Sequence, residues 1–458
     1  MPSILANQTL TVDSVNKLTM NYRERCPMSQ RPKRILLLSP PNDYLEQPWA
    51  MPRLGLLMLS SVLKKHGHQV RLRQLGSLSE MPNLLEEDTD LLGISATTRE
   101  YPDALSILNY CKRQFPNLPV MIGGAHANAM PEECQRNGFD VVVAGEADEV
   151  IAKLVENLSN NPILVRPRPV VHLDSLPIPD HSGFNDPLSY QSYFDDCTRV
   201  GPAAPIELSR GCPYKCSFCG PHSYYRRYGP RHVEVRLRTL AQLNYRAVIV
   251  VDDLPFLNLQ QVRTFCAAIK RYDLRFRCNM RANLITTQIA AELSRAGCYR
   301  VQIGVESAAD DVLAGIHKRL QSQAVGEAVQ ICQDAGIQVK AMFVWGLPSD
   351  GPQSAQAIVD WVRRFRPASI QVSSFVPLPG SPLWNNYCGR VVDYHHLNFF
   401  DHNGQVMGVG NDRYSPTELA AWRKRILRDC QGLTHLDLGM TAIPSDEESR
   451  SIRPEVAQ

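Results

Sequence analysis

The sequence predicts an α/β protein: an N-terminal doubly wound parallel sheet, then a partial barrel of six β/α units, then a small C-terminal segment. Three observations carry this. Short apolar runs alternate with helix-period segments from Arg34 to about residue 160, and the alternation resumes from Pro205 to about residue 385. Between them, residues 161–204 are rich in Pro and Asn and lose the rhythm, which reads as a linker. A chain of 458 residues also exceeds what one hydrophobic core organises, so two or three domains are expected.

In residues 34–160, the runs at 34–40, 69–75, 90–97, 120–126 and 141–147 read as strands. LGLLMLSSVLKKHG (54–67), YPDALSILNYCKRQF (101–115) and the segment after Ala147 have helical spacing. In residues 205–385 the strands are expected at 205–211, 247–253, within 275–284, and at 299–307, 337–348 and 369–383, with a helix after each of the first five. Such units place functional groups at the carboxyl ends of their strands. Residues 1–33 are polar and aperiodic and read as a flexible arm. In the C-terminal segment, 386–458, residues 416–432 read as one helix and the polar tail after Ile443 as disordered.

Composition excludes several classes. Apolar residues are 44% and charged residues 21%, as in a globular protein. No apolar run is long enough to span a membrane. The 49 basic and 46 acidic residues leave a net charge of +3, which disfavours a nucleic-acid-coating protein. The basic, aromatic stretch Tyr224–Arg231 is too short to reverse that reading. The N-terminus lacks a basic stretch followed by an apolar core, and the 13 cysteines are odd in number. A cytoplasmic, reduced setting is therefore expected, with thiols free to bind metal.

Ten of those cysteines are scattered and read as small buried hydrophobes. Cys212, Cys216 and Cys219 are different: they form C-x-x-x-C-x-x-C directly after the first strand of the second alternation. Structural zinc takes four ligands, usually as two pairs, and no second pair stands at finger spacing. A 4Fe-4S cluster has four irons, so three thiolates leave one iron open for an outside ligand. The spacing thus favours a catalytic iron–sulfur centre over zinc.

With its Ser209-Arg210-Gly211 lead-in and Phe218 before the last cysteine, this loop resembles that of the radical S-adenosylmethionine (radical SAM) superfamily. The resemblance implies that the three cysteines hold a 4Fe-4S cluster whose open iron is chelated by SAM. An electron then cleaves SAM to methionine and a 5′-deoxyadenosyl radical, and a donor such as flavodoxin or ferredoxin is implied. It further implies SAM contacts from Phe218, from Asp252 and Asp253 after the second strand, and from Arg281 after the third. Glu306 in Gly304-Val305-Glu306-Ser307 would face the ribose, and Gly346 in Val344-Trp345-Gly346-Leu347-Pro348 the adenine. The family's continuation after that glycine is replaced here by Ser349-Asp350-Gly351.

The first alternation resembles the cobalamin-binding-like, Rossmann-type domain that precedes many radical SAM proteins. The landmarks are Pro40-Pro41, Met51-Pro52-Arg53-Leu54-Gly55, Lys65-His66-Gly67-His68-Gln69-Val70, Gly93-Ile94-Ser95, Gly123-Gly124-Ala125-His126 and Gly145-Glu146-Ala147. Gly123, Gly124 and Gly145 are expected to lie against the corrin or its tail. The D-x-H-x-x-G motif that gives cobalt a histidine is absent. Two enzyme readings follow, both on a small-molecule metabolite. With cobalamin, the expectation is methyl transfer to an unreactive carbon or phosphorus. Without it, the radical would drive dehydration, deoxygenation, cyclisation or rearrangement. An iron–sulfur redox-sensing protein is the non-enzymatic alternative. No RNA-binding domain of the methylthiotransferase kind is visible, which disfavours tRNA modification.

Overall fold

A computed structural model describes residues 31–41, 52–158, 161–181, 200–220, 223–399, 406 and 408–437. Most of the expected N-terminal arm, the landmark Met51 and the expected tail after Ile443 lie outside the described residues.

The first sheet contains β1 (Arg34–Ser39), β2 (Gln69–Gln74), β3 (Leu91–Ser95), β4 (Val120–Gly123), β5 (Val141–Val143) and β6 (Ile163–Val165). All pairings are parallel, in the order β2-β1-β3-β4-β5-β6. Strands β1, β3, β4 and β5 are nearly continuous apolar runs, as expected for strands covered on both faces. The order reverses between β1 and β3, and the crevice at such a reversal opens at the strands' carboxyl ends. The structure departs from the sequence reading at both ends of β5. Two short helices, Ala125–Ala129 and Pro131–Arg136, precede it, and β6 comes from the stretch read as linker. Three residues of strand with no helix-length flanks leave no periodic signal.

The second sheet is also parallel. Its members are β7 (Ala203–Ile206), β10 (Ala247–Val250), β11 (Arg275–Met280), β12 (Cys298–Glu306), β13 (Gln338–Trp345), β14 (Ser369–Ser374) and β15 (His435–Leu436). They run consecutively from β7 to β15, without a reversal. Ser209–Arg210 does not extend β7. It forms β8, which pairs antiparallel with β9 (Arg226–Arg227), so a small ribbon flanks the cysteine loop. The segment after residue 385 joins this sheet: helix Pro416–Cys430 packs on helix Pro352–Phe365, and β15 pairs with β14. A buried Lys340–Asp437 ion pair fastens that end.

The two sheets share one core. A single apolar cluster runs from Leu56, Leu57 and Leu63 through Leu173 and Leu176 of the connecting stretch to Leu237 and Val248 beside the second sheet. The described part of the connecting stretch is therefore packed between the two sheets.

Candidate functional site

The strand alternation in the second sheet builds a cavity. On β11, β12 and β13, Asn279, Gln302, Gly304 and Met342 face inwards, while Phe276, Cys278, Val301, Ile303, Ala341 and Phe343 are buried. The inward residues line a cavity of about 230 Å³, closed at the top by the cysteine loop. Cys212, Cys216 and Cys219 all line it, with Phe218, Asp253, Arg281 and Glu306.

The loop is held from two sides. Ser217 N donates to Ile316 O at 3.0 Å, and Ser217 O accepts from Leu383 N at 3.1 Å. Phe218 packs on the apolar cluster that contains Leu313, Phe375 and Leu383. Desolvation, with Asp253 nearby, pushes the Cys219 thiol up to about 11, and burial raises Cys212 as well. Ligation by a metal is what removes such protons at neutral pH. Among the described residues no three His, Cys, Asp or Glu side chains converge as one shared ion would require. Three thiols that line one cavity fit a cluster in which each takes a separate iron.

Arg281, Glu306 and Lys318 form a connected group on the cavity wall. A bulge shifts β12 between Gly304 and Glu306, and Glu306 adopts a left-handed backbone at φ 65°. Lys318 Nζ donates to Glu306 Oε1 at 2.7 Å. Arg281 donates to the Lys318 carbonyl, stacks over Tyr214 at 3.8 Å from the ring centroid, and brings Nη1 to 3.9 Å from Cys216 Sγ. Gly304 leaves room for the pair, since a Cβ there would lie 2.3 Å from Glu306 Oε1. Sequence reasoning missed Lys318. It sits between His317 and Arg319, two residues with positive φ that no sequence pattern marks.

Two expected SAM contacts point elsewhere. Asp252 is buried and turned away from the cavity. Its carboxylate accepts from Leu208 N at 2.9 Å and Ser209 Oγ at 2.5 Å, so it pins the entry to the cysteine loop. Burial pushes its carboxyl up to about 7 against the pull of those hydrogen bonds. Its neighbour Asp253, in the loop after β10, lines the cavity instead. Gly346 has φ 97° and faces Leu419, whose Cδ1 would lie 3.0 Å from an added Cβ. Its N–H donates to Asp350 Oδ2, and it does not line the cysteine cavity.

A second cavity, of about 260 Å³, opens at the carboxyl ends of β1, β3, β4 and β5 beside helix Leu54–Lys65. Gly123, Gly124 and Gly145 line it, together with Gly55 and Gly93. At Gly124, φ is 92° and an added Cβ would lie 2.9 Å from Ala96 O and Ser95 Oγ. The turn after β4 is thus pressed flat on the end of β3, and a glycine-floored, mostly apolar wall of this kind fits a flat macrocycle or its tail. No histidine is among the described residues that line it. His126 is buried behind the sheet, stacked on Tyr101 at 3.7 Å.

The chain carries a B12-binding domain ahead of a radical SAM domain, the build of a radical SAM enzyme. Residues 49–155 match the B12 binding domain and residues 206–362 the Radical SAM superfamily. The cofactors that go with this pairing are a 4Fe-4S cluster, SAM and cobalamin. An uncharacterized methyltransferase of Pyrococcus horikoshii is 27% identical over 77% of this chain and 82% of its own length. The hopanoid C-3 methylase of Methylococcus capsulatus is 26% identical over 72% and 68%. Among solved structures, the radical SAM methyltransferase TsrM from Kitasatospora setae superposes with a TM-score of 0.65 at 17% identity, covering 89% of this chain and 91% of its own. No helix among the described residues is long and apolar enough to cross a membrane.

Proposed function

We propose that the protein is a cobalamin-dependent methyltransferase that acts on an unreactive carbon or phosphorus centre of a small molecule. The observation that carries this is the adjacency of two cavities of different chemistry. Arg210 lines the glycine-floored cavity and Cys212 lines the thiol cavity, with only Gly211 between them. When bound, the cluster and SAM supply a carbon radical and the corrinoid supplies a methyl carrier.

The chain's own residues do the rest. Cys212, Cys216 and Cys219 hold the cluster. Arg281 offers a guanidinium beside Cys216, suited to a carboxylate such as that of SAM. Glu306, positioned by Lys318, accepts from ribose hydroxyls, and Asp253 takes the SAM ammonium. Phe218 supplies an aromatic wall for adenine. Gly123, Gly124 and Gly145 let the corrinoid lie against backbone. A low-potential one-electron donor of the flavodoxin or ferredoxin type completes the system.

Anaerobic titration with hydroxocobalamin, then gel filtration and turnover with SAM and a reductant, tests the proposal. Methyl transfer predicts a co-eluting corrinoid and formation of both S-adenosylhomocysteine and 5′-deoxyadenosine. A second reading, radical chemistry without methyl transfer, is favoured by the 24% identity to the anaerobic magnesium-protoporphyrin IX monomethyl ester cyclase of Rubrivivax gelatinosus. It predicts 5′-deoxyadenosine alone.

A further inference from the structure

Four charged side chains join the two cavities. Arg210, on β8, meets Asp148 through two contacts, Nη1–Oδ2 at 2.9 Å and Nη2–Oδ1 at 3.2 Å. It also reaches Glu146 Oε2 at 3.2 Å and its own neighbour Glu207 at 3.1 Å. Arg226, paired with Arg210 across the β8–β9 ribbon, meets Glu146 at 2.6 and 2.9 Å and the Val170 carbonyl at 2.7 Å. Glu146 and Asp148 follow β5 of the first sheet, whereas both arginines belong to the ribbon that flanks the cysteine loop. Glu146, Asp148 and Arg210 all line the glycine-floored cavity. An occupant that fills that cavity therefore touches the grip itself.

The other side of the ribbon is equally fixed. Asp252 holds Leu208 and Ser209, just before Arg210. Gly211, just after it, sits at φ 83° beneath Ser223 and Tyr224, whose carbonyl oxygens would lie 2.6 and 2.4 Å from an added Cβ. Cys212 N then donates to Ser223 O at 3.3 Å. Between the grip and the first cysteine there is one residue with no room to move. A displacement of the Arg210 side chain must be absorbed by the salt bridges or passed to Cys212.

We infer that the Arg210–Asp148–Glu146–Arg226 clamp couples the two cavities, so that a corrinoid in the first tightens SAM binding in the second. The inference rests on the proposed function, since it assumes that a corrinoid occupies the first cavity. The sign follows from solvation. An occupant that excludes water from the cavity strengthens the ion pairs at its rim. A loop already ordered by those pairs loses less freedom when SAM binds. Coupling is reciprocal, and typical values correspond to roughly 5- to 150-fold in affinity.

The experiment measures SAM dissociation constants, by anaerobic equilibrium dialysis, on the cluster-reconstituted full chain with and without saturating hydroxocobalamin. The wild type should bind SAM at least about 5-fold more tightly when the corrinoid is present. Arg226→Lys and Arg226→Gln, tested separately at the clamp residue that lines neither cavity, should still co-elute with corrinoid but bind SAM equally well with and without it. Failure of any corrinoid to bind removes the proposed function and this inference with it. Bound corrinoid with unchanged SAM affinity in the wild type overturns the coupling alone. So does undiminished coupling in both folded variants, and the wild-type comparison decides the matter even if a variant fails to fold.

Discussion

Lys318 and Glu306 meet at 2.7 Å on the wall of the thiol cavity, and both are buried. Their elements come together because β12 bulges at Gly304 and the chain returns through helix Asp310–Gly315. Lys318→Met leaves the Glu306 carboxylate buried without its cation. Breaking such a pair from one side costs roughly 3–5 kcal/mol, and adding Glu306→Gln to Lys318→Met should restore part of it. Urea denaturation of the two single variants and the double variant reads this directly. For ligand binding, Glu306→Gln alone should weaken SAM affinity by roughly 5- to 150-fold, the equivalent of about 1–3 kcal/mol of lost hydrogen bonding. Unchanged affinity would remove Glu306 from the ribose site.

Replacing Cys212, Cys216 or Cys219 singly by Ala should abolish reductive cleavage of SAM, and the anaerobically reconstituted protein should lose most of its brown colour and iron. The other buried cysteines, such as Cys266 and Cys332, have thiols pushed up to about 12 by burial, and Ala there should leave iron content unchanged. Iron and sulfide analysis across the set distinguishes the two groups. Stoichiometric zinc in place of iron in the wild type would defeat the cluster assignment.

Gly211→Ala should lower cluster occupancy more than any other single-methyl change in the loop. The added Cβ would lie 2.4 Å from Tyr224 O, at a φ that side chains avoid, and backbone cannot swing aside as a flexible side chain can. Gly220→Ala is the control, with nothing within 4 Å of its Cβ. Equal iron content in the two variants would count against a rigid connection between ribbon and loop.

The contribution of Asp350 to stability should fall as pH rises from about 4 to 7, opposite in sign to that of the buried His126 and His181. Burial pushes Asp350 from an ordinary aspartate value of 3.8 up to about 7, and Asp252 shifts the same way. In that window the folded chain holds protons that the unfolded chain has released, so each step up in pH favours unfolding; above about 7 the effect is complete. Asp350→Asn keeps an acceptor for the Gly346 and Leu347 N–H groups but has no proton to lose. Its denaturation midpoint should therefore rise relative to that of the wild type between pH 5 and 7.5. An unchanged difference would mean that Asp350 stays ionised in the fold.

Much of this protein is written locally. Apolar period decides strands and helices, so β1, β3, β4, β10, β12 and β13 are visible from their Val, Ile, Leu and Phe residues. Three cysteines on one loop need no distant partner to declare a metal centre, and glycines at strand ends declare a close backbone approach. Which neighbour faces the cavity is another matter. Asp252 and Asp253 are equivalent as letters, and only the direction of β10 as it leaves the sheet turns one to Ser209 and the other to the thiols. Gly346 falls outside the cavity because helix Pro416–Cys430, more than 60 residues on, brings Leu419 against it. Lys318 meets Glu306, and Arg210 meets Asp148, through contacts with no pattern along the chain. Such pairs form where packing sets segments distant along the chain side by side. That placement comes from the sum of many buried contacts, from Leu57 through Leu173 to Leu237, and no short stretch of sequence contains it.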